Sequence, residues 1–340
     1  MDSLTKTPNT PHPLGVIDTL SAGIFVMIQN PWLLLLPVLF DLFYWLAPPL
    51  ILGPELVTIL LTPFDPQGAN AALLATRPEL MAEFPALYES MEELVSEFNL
   101  WQFFISSYLF WPSILAAQVP DAESISAMQK IGWQLTNFGH VALSLIGLIV
   151  VGLFFNVFWL HGIAYSVQKK ENGIANLATL LRQTAQHGLR LLIMGLVFLT
   201  IFFGGLFPLS FVLAVIMLLL PGVGACLYSI AIVLILWLLF WLAIHLYFTA
   251  AAVIVADQSL LQAPWLSIRL VRRFFRSGLG FILICTLLTW GFQVVWNGFS
   301  SEIGRLVSII GNAALGTAIA AAMMIFFGER YPMLIQESKT

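Results

Sequence analysis

Charge is what this sequence lacks most. Only 9% of its 340 residues are Asp, Glu, Lys or Arg, and 59% are hydrophobic. An ordinary soluble domain carries about 25% charged residues, so the chain reads as an integral membrane protein. Cysteine is almost missing as well. Cys226 and Cys285 both lie inside apolar runs, so no disulfide framework is expected, and two thiols alone do not make a structural zinc site. They read as small apolar packing residues. Several chemical signatures are absent: H-E-x-x-H, G-x-S-x-G, G-x-x-x-x-G-K-[ST] and G-x-G-x-x-G do not occur. Nor do H-x-x-x-H or C-x-x-C, so His140, at the outer end of a predicted span, has no spaced metal partner. No catalytic, metal or cofactor residue is nominated, no cofactor is expected, and the expectation is a non-enzymatic protein. The arginines lie beside apolar runs rather than in a basic-aromatic groove, which argues against nucleic acid as a partner.

Long apolar runs are what the sequence has in abundance. A bilayer-spanning helix needs roughly 20 mainly apolar residues, and six segments reach that length: 31–53, 140–166, 190–218, 227–255, 278–299 and 305–328. Lipid offers no hydrogen bonds to a backbone, so each span is expected to be helical. The runs are too long and continuous for a closed barrel. The fold class is therefore all-α, a polytopic membrane protein with six spanning helices.

Lys and Arg fall unevenly among the connections. The segment 54–138 holds Arg77 and Lys130 against ten acids, whereas 167–190 holds Lys169, Lys170, Arg182 and Arg190 against Glu171 alone. The segment 256–277 holds Arg269, Arg272, Arg273 and Arg276 against Asp257. Basic connections mark the cytoplasmic side, which places both termini there, in a cytoplasmic (inner) membrane. The resulting division is a polar tail (1–13), an interfacial helix with the first span (14–53) and an acidic helical extracytoplasmic cap (54–138). The second to fourth spans follow with a basic cytoplasmic helix at 172–189 (139–255), then an interfacial basic helix with the fifth and sixth spans (256–328), and a tail (329–340). Residues 1–13 hold only Lys6 as a basic residue, and no A-x-A site follows, so the first run is expected to remain as an anchor. The uncharged stretch 100–117 is expected to lie in the outer interface or re-enter it, because Gln102, Ser106, Ser107, Tyr108 and Pro112 interrupt it.

An architecture recurs: surface helix, span, span. Aligning Asn30, His187 and Arg276 brings Leu20, Leu177 and Leu266 together, then Ser21, Ala178 and Ser267, then Ile24, Leu181 and Leu270. That pattern predicts a threefold helical-hairpin repeat with three cytoplasmic amphipathic helices. On the last of these, Arg269, Arg272, Arg273 and Arg276 follow i, i+3, i+4, i+7 and share one face. They are expected to contact anionic lipid headgroups, with Leu266, Leu270, Val271, Phe274 and Phe275 turned away.

Ionisable residues at membrane depth are costly and mark candidate sites. Asp41, His161 and His245 qualify, as a proton or cation relay or as hydrogen-bonding residues between helices. In the last span, Gly311, Ala314, Ala318 and Ala322 offer small side chains for close helix packing, within the chain or with a second copy. Membrane lipid, anionic on the cytoplasmic side, and a protein or homo-oligomeric partner are the expected associations.

Two stretches carry a resemblance. NPWLLLLPVLFDLFYW (Asn30–Trp45) and VIVADQSLLQAPWLSIRLVRRFFR (Val253–Arg276) resemble a broad group of uncharacterised bacterial membrane proteins, similar to the membrane domain attached to some glycerophosphodiester phosphodiesterases. The resemblance implies a six-span helical scaffold. The barrel-shaped catalytic domain has no counterpart here, so no activity or catalytic residue is carried over, and the long acidic segment is a departure from the group.

Overall fold

The computed structural model describes residues 13–65, 78–105, 113, 132–168, 177–299 and 301–337. Helix dominates it, as backbone hydrogen bonding in lipid demands. In chain order the α-helices of eight residues or more are α1 (Val16–Gln29), α2 (Leu35–Leu46), α3 (Pro54–Leu61), α4 (Pro78–Glu97), α5 (Phe138–Gln168), α6 (Leu177–Leu219) and α7 (Pro221–Leu246). They continue with α8 (Thr249–Ala256), α9 (Gln262–Arg273), α10 (Phe275–Asn297) and α11 (Glu302–Glu337). Two three-residue strands, β1 (Leu50–Leu52) and β2 (Trp133–Leu135), pair in parallel.

Among the described residues, five helices are long and apolar enough to cross a membrane: Phe138–Gln168, Leu177–Leu213, Gly222–Ala256, Phe275–Asn297 and Glu302–Gln336. The count reaches six if the broken pair Val16–Gln29 and Pro31–Leu46 makes one span. The protein is thus an all-α polytopic membrane protein. The first span departs from the expected 31–53. Its helix ends at Leu46, before Pro48 and Pro49, and the chain then enters β1. Proline lacks the N–H that a helix needs and pushes the preceding residue toward extended geometry.

The described chain divides into two compact units, 1–35 with 157–340, and 36–156. In the second unit the strand pair is completed from outside itself. Asn99 Oδ1 accepts from Leu50 N at 3.1 Å, and Leu100 N donates to Leu50 O at 2.7 Å. Around it, Trp101 meets Phe43 edge-on with centroids 5.0 Å apart and donates its indole N–H to Pro48 O at 3.0 Å.

The first unit is built on α11, two thirds of whose apolar window is buried. Its core is a cluster of Phe248, Phe281 and Phe326, all fully buried, with Phe248 and Phe281 centred 5.1 and 4.8 Å from Phe326. α1 lies along α11. A β-carbon on Gly23 would fall against the Ala318 carbonyl and within 2.7 Å of the Ala322 methyl, so only glycine permits this approach. The predicted small face of the last span is therefore used inside the chain. Ala318 and Ala322 are buried under α1, Ala314 is half-buried, and Gly311 lies under the Trp296 ring. Arg330 and Glu329 fasten the other end of the pair. Arg330 Nη2 donates to Leu14 O at 2.8 Å, while Leu14 N donates to Glu329 Oε2 at 3.0 Å. Residues 329–337, expected as tail, are the end of α11.

The threefold pattern does not carry through to local structure. α1 stops at Asn30 before Pro31, and α9 stops at Phe274, but α6, 43 residues long, runs unbroken through His187. No proline stands near His187 to break it. Burial differs as well: Ser267 and Leu270 are buried, whereas Ser21, Ile24, Ala178 and Leu181 are exposed. The four arginines likewise do not share one helix, since Arg276 lies beyond the break, in α10. All four are exposed, and Arg269 lies over the Trp265 ring at 5.3 Å.

Candidate functional site

Asp41, His161 and His245 separate into different environments. Asp41, in the second unit, is fully buried and accepts a hydrogen bond from Ser113 Oγ at 2.5 Å. Ser113 belongs to the stretch 100–117, so at least this residue reaches α2. Most of that stretch, and with it the expected interfacial or re-entrant placement, lies outside the described residues. His245, in the first unit, turns back on its own helix. Its Nδ1 bonds Trp241 O at 2.9 Å and its ring stacks on Trp241 with centroids 4.1 Å apart.

His161 leads to a polar array the sequence did not assemble. On α5 its Nδ1 lies 2.8 Å from Val157 O, one turn back. Its Nε2 lies 3.0 Å from Nδ1 of His187, on α6. His187 Nε2 lies 3.0 Å from Asp257 Oδ1. Arg190, one turn after His187, donates from Nη1 to the same Asp257 oxygen at 2.6 Å. The two imidazoles are near parallel, 17° apart, with centroids separated by 5.0 Å. With nitrogens 3.0 Å apart, the rings are within hydrogen-bonding distance of each other.

Each position has a local cause. On α6, Thr184, His187, Gly188 and Leu191 are buried at i, i+3, i+4, i+7, one inward stripe that carries His187 with it. α5 is seated by the turn Pro31–Leu34: Trp159 donates its indole N–H to Leu33 O at 2.9 Å, and Trp32 and Leu33 cover Gly162. Asp257 ends α8 in the left-handed conformation, φ 47° and ψ 39°, which Asp tolerates better than most residues. Next to it, Gln258 donates from Nε2 to Ala256 O and to Tyr331 Oη, both at 3.0 Å. The array runs from buried to wet: His161 and His187 are 8% and 5% exposed, and the Asp257 side chain 74%. The bond from Arg190, and next the bond from His187, hold Asp257 below the ordinary carboxylate range.

His187 had appeared in the sequence only as a register position, and Arg190 and Asp257 only as connection charges. The available signal was Asp257, the lone acid in a basic segment. Among the described residues, no group of three or more His, Cys, Asp or Glu side chains is arranged to hold a metal ion. Thr184, fully buried on the His187 stripe, has a hydroxyl without a hydrogen-bond partner. Arg273, Phe274, Phe275, Arg276 and Ser277 line a shallow hollow at the break between α9 and α10.

No family model, curated protein or solved structure matches the chain.

Proposed function

We propose that the chain is a non-enzymatic multi-pass protein of the cytoplasmic membrane, a scaffold or accessory subunit that gathers protein partners or lipid around its spanning helices. Both termini face the cytoplasm in this reading, with Arg269, Arg272, Arg273 and Arg276 toward anionic headgroups and the acidic segment outside. The observation that supports it is the α6–α7 hairpin. None of the most apolar window of either helix is buried in the chain's own fold. Phe203, Phe207, Trp237 and Phe240 are 59%, 77%, 63% and 59% exposed. Lipid tails satisfy such a surface, and so do the apolar helices of a partner, which bind through close packing rather than the hydrophobic effect.

Photo-crosslinkers at Val233, Leu234, Leu236 and Leu239 are spread around the circumference of α7, and all four positions are exposed. A scaffold gives protein crosslinks on one face in native membranes. Uniform lipid labelling at all four positions would refute the reading. A second reading, a small-solute, lipid or ion transporter, draws support from the His161–His187–Asp257 array, which links a helix interior to a wet carboxylate. Ion or proton flux in liposomes that disappears in His187→Gln would favour it over the scaffold.

A further inference from the structure

We propose that His161 and His187 hold one proton between them, a proton-binding site at the ends of three spanning helices, with Asp257 as its counter-ion and its opening to water. The assignment comes from counting. Three hydrogen bonds run in series: Val157 O to His161, His161 to His187, and His187 to Asp257, at 2.8, 3.0 and 3.0 Å. The Val157 carbonyl and an ionised Asp257 only accept, and the bond between the rings needs one N–H of its own. The series therefore requires three protons. Two neutral imidazoles bring one N–H each, so completing it takes one more.

Where the extra proton resides follows from Arg190. Asp257 Oδ1 already receives the guanidinium at 2.6 Å, and a cation so placed favours the ionised carboxylate. The third proton is thus on the rings, either on His187 with His161 neutral or the reverse. The site is stabilised in both forms, because the proton only moves along the 3.0 Å bond between the rings. Among the described residues, the charged groups facing it are Arg190 from α6 and Asp257 from the turn after α8. Tyr331 of α11 joins through the Gln258 amide, and Tyr165 lies one turn beyond His161 on α5. Two cationic charges against one carboxylate would be unfavourable if all were buried. The exposure of Asp257 and the partial exposure of Arg190, 74% and 34% by side chain, let water share the load.

Occupancy has a structural consequence. The protonated pair is the only arrangement that ties α5, α6 and the α8–α9 turn together through all three bonds. Loss of the proton removes one of them: the bond within α5, the bond between the rings or the bond to Asp257, according to the tautomers left. The inference stands whether the protein is a scaffold or a transporter.

The test is ¹⁵N NMR of the full chain labelled in its five histidines, in phosphatidylcholine nanodiscs, titrated between pH 5 and 8, the range in which imidazoles normally change charge. The expected result is one proton gained by the pair, seen as ring nitrogens of two histidines that titrate together and are lost together in His187→Gln. Asp257→Asn keeps an acceptor and a residue tolerant of the left-handed backbone, so it tests the idea without relying on a refolded core. It should lower the midpoint by about 1 pH unit or more, tenfold in proton concentration, because the counter-charge is gone. A pair that stays neutral throughout, or a midpoint unmoved in Asp257→Asn, would overturn the proposal.

Discussion

The hydroxyl of Ser267 takes the donor and the acceptor that the break between α7 and α8 leaves without helical partners. Phe248 N donates to it at 3.1 Å, and it donates to His245 O at 2.7 Å, with the serine fully buried. A buried polar group left unsatisfied costs about 1–3 kcal/mol, and Ser267→Ala strands two. That variant should lose about 2 kcal/mol or more of stability in detergent denaturation, with Ser267→Thr restoring part of it. A midpoint unchanged in Ser267→Ala would mean that the break finds other partners. The sequence marked Ser267 only as a small residue in a repeat. A kink without proline leaves no composition signal, so its repair was invisible. His161 was visible because an imidazole within an apolar run stands out. Its partner was not, because His187 stands 26 positions away on another helix, a separation that no local spacing encodes.

At the scale of elements, spans were legible and contacts were not. Hydropathy located the five long helices and the region of the sixth, since a continuous apolar run has few alternatives in lipid. It overran α2, because Leu50, Ile51 and Leu52 are as apolar in a strand as in a helix, and the pairing that decides between them involves Trp133 and its neighbours, some 80 residues on. The small residues Ala318 and Ala322 of α11 lie against Gly23 of α1, a helix that had been read as a surface helix. Their contact predicts the effect of Gly23→Ala. Alanine favours a helix over glycine by about 1 kcal/mol, yet its methyl would fall on the α11 backbone, which does not yield as a side-chain tip would. Overpacking of this kind costs roughly 1–3 kcal/mol, so Gly23→Ala should destabilise on balance and Gly23→Leu much more strongly. Thermal unfolding of the purified variants measures this, and a stabilised Gly23→Ala would show that α1 can ride away from α11.

For the whole molecule, the proposed orientation rests on few charges. Arg269, Arg272, Arg273 and Arg276 are exposed on both sides of the α9–α10 break. Near an anionic leaflet each basic residue contributes about 1 kcal/mol. Changing all four to Gln should weaken binding to anionic vesicles and give a mixed-topology population by cysteine accessibility at α10. Unchanged lipid preference together with unchanged topology would remove these residues from the account. The uneven spread of charge along the chain is plain in the sequence because it is a property of composition. How the acidic and basic halves fold internally was not, because their decisive contacts, such as Asn99 with Leu50 and Asp257 with His187, join distant residues.

The fastening of Leu14 to Glu329 and Arg330 sets an order in time. The partners are 315 and 316 residues apart, so during synthesis α1 emerges long before the helix it packs against. At roughly 5–20 residues per second, that interval is some tens of seconds. Through it the glycine face of α1, shaped for one neighbour, must be covered by lipid or by a helper protein. Assembly of the first unit is therefore completed only when the chain's late helices arrive, and a nascent chain halted before α11 should hold α1 without its native contact.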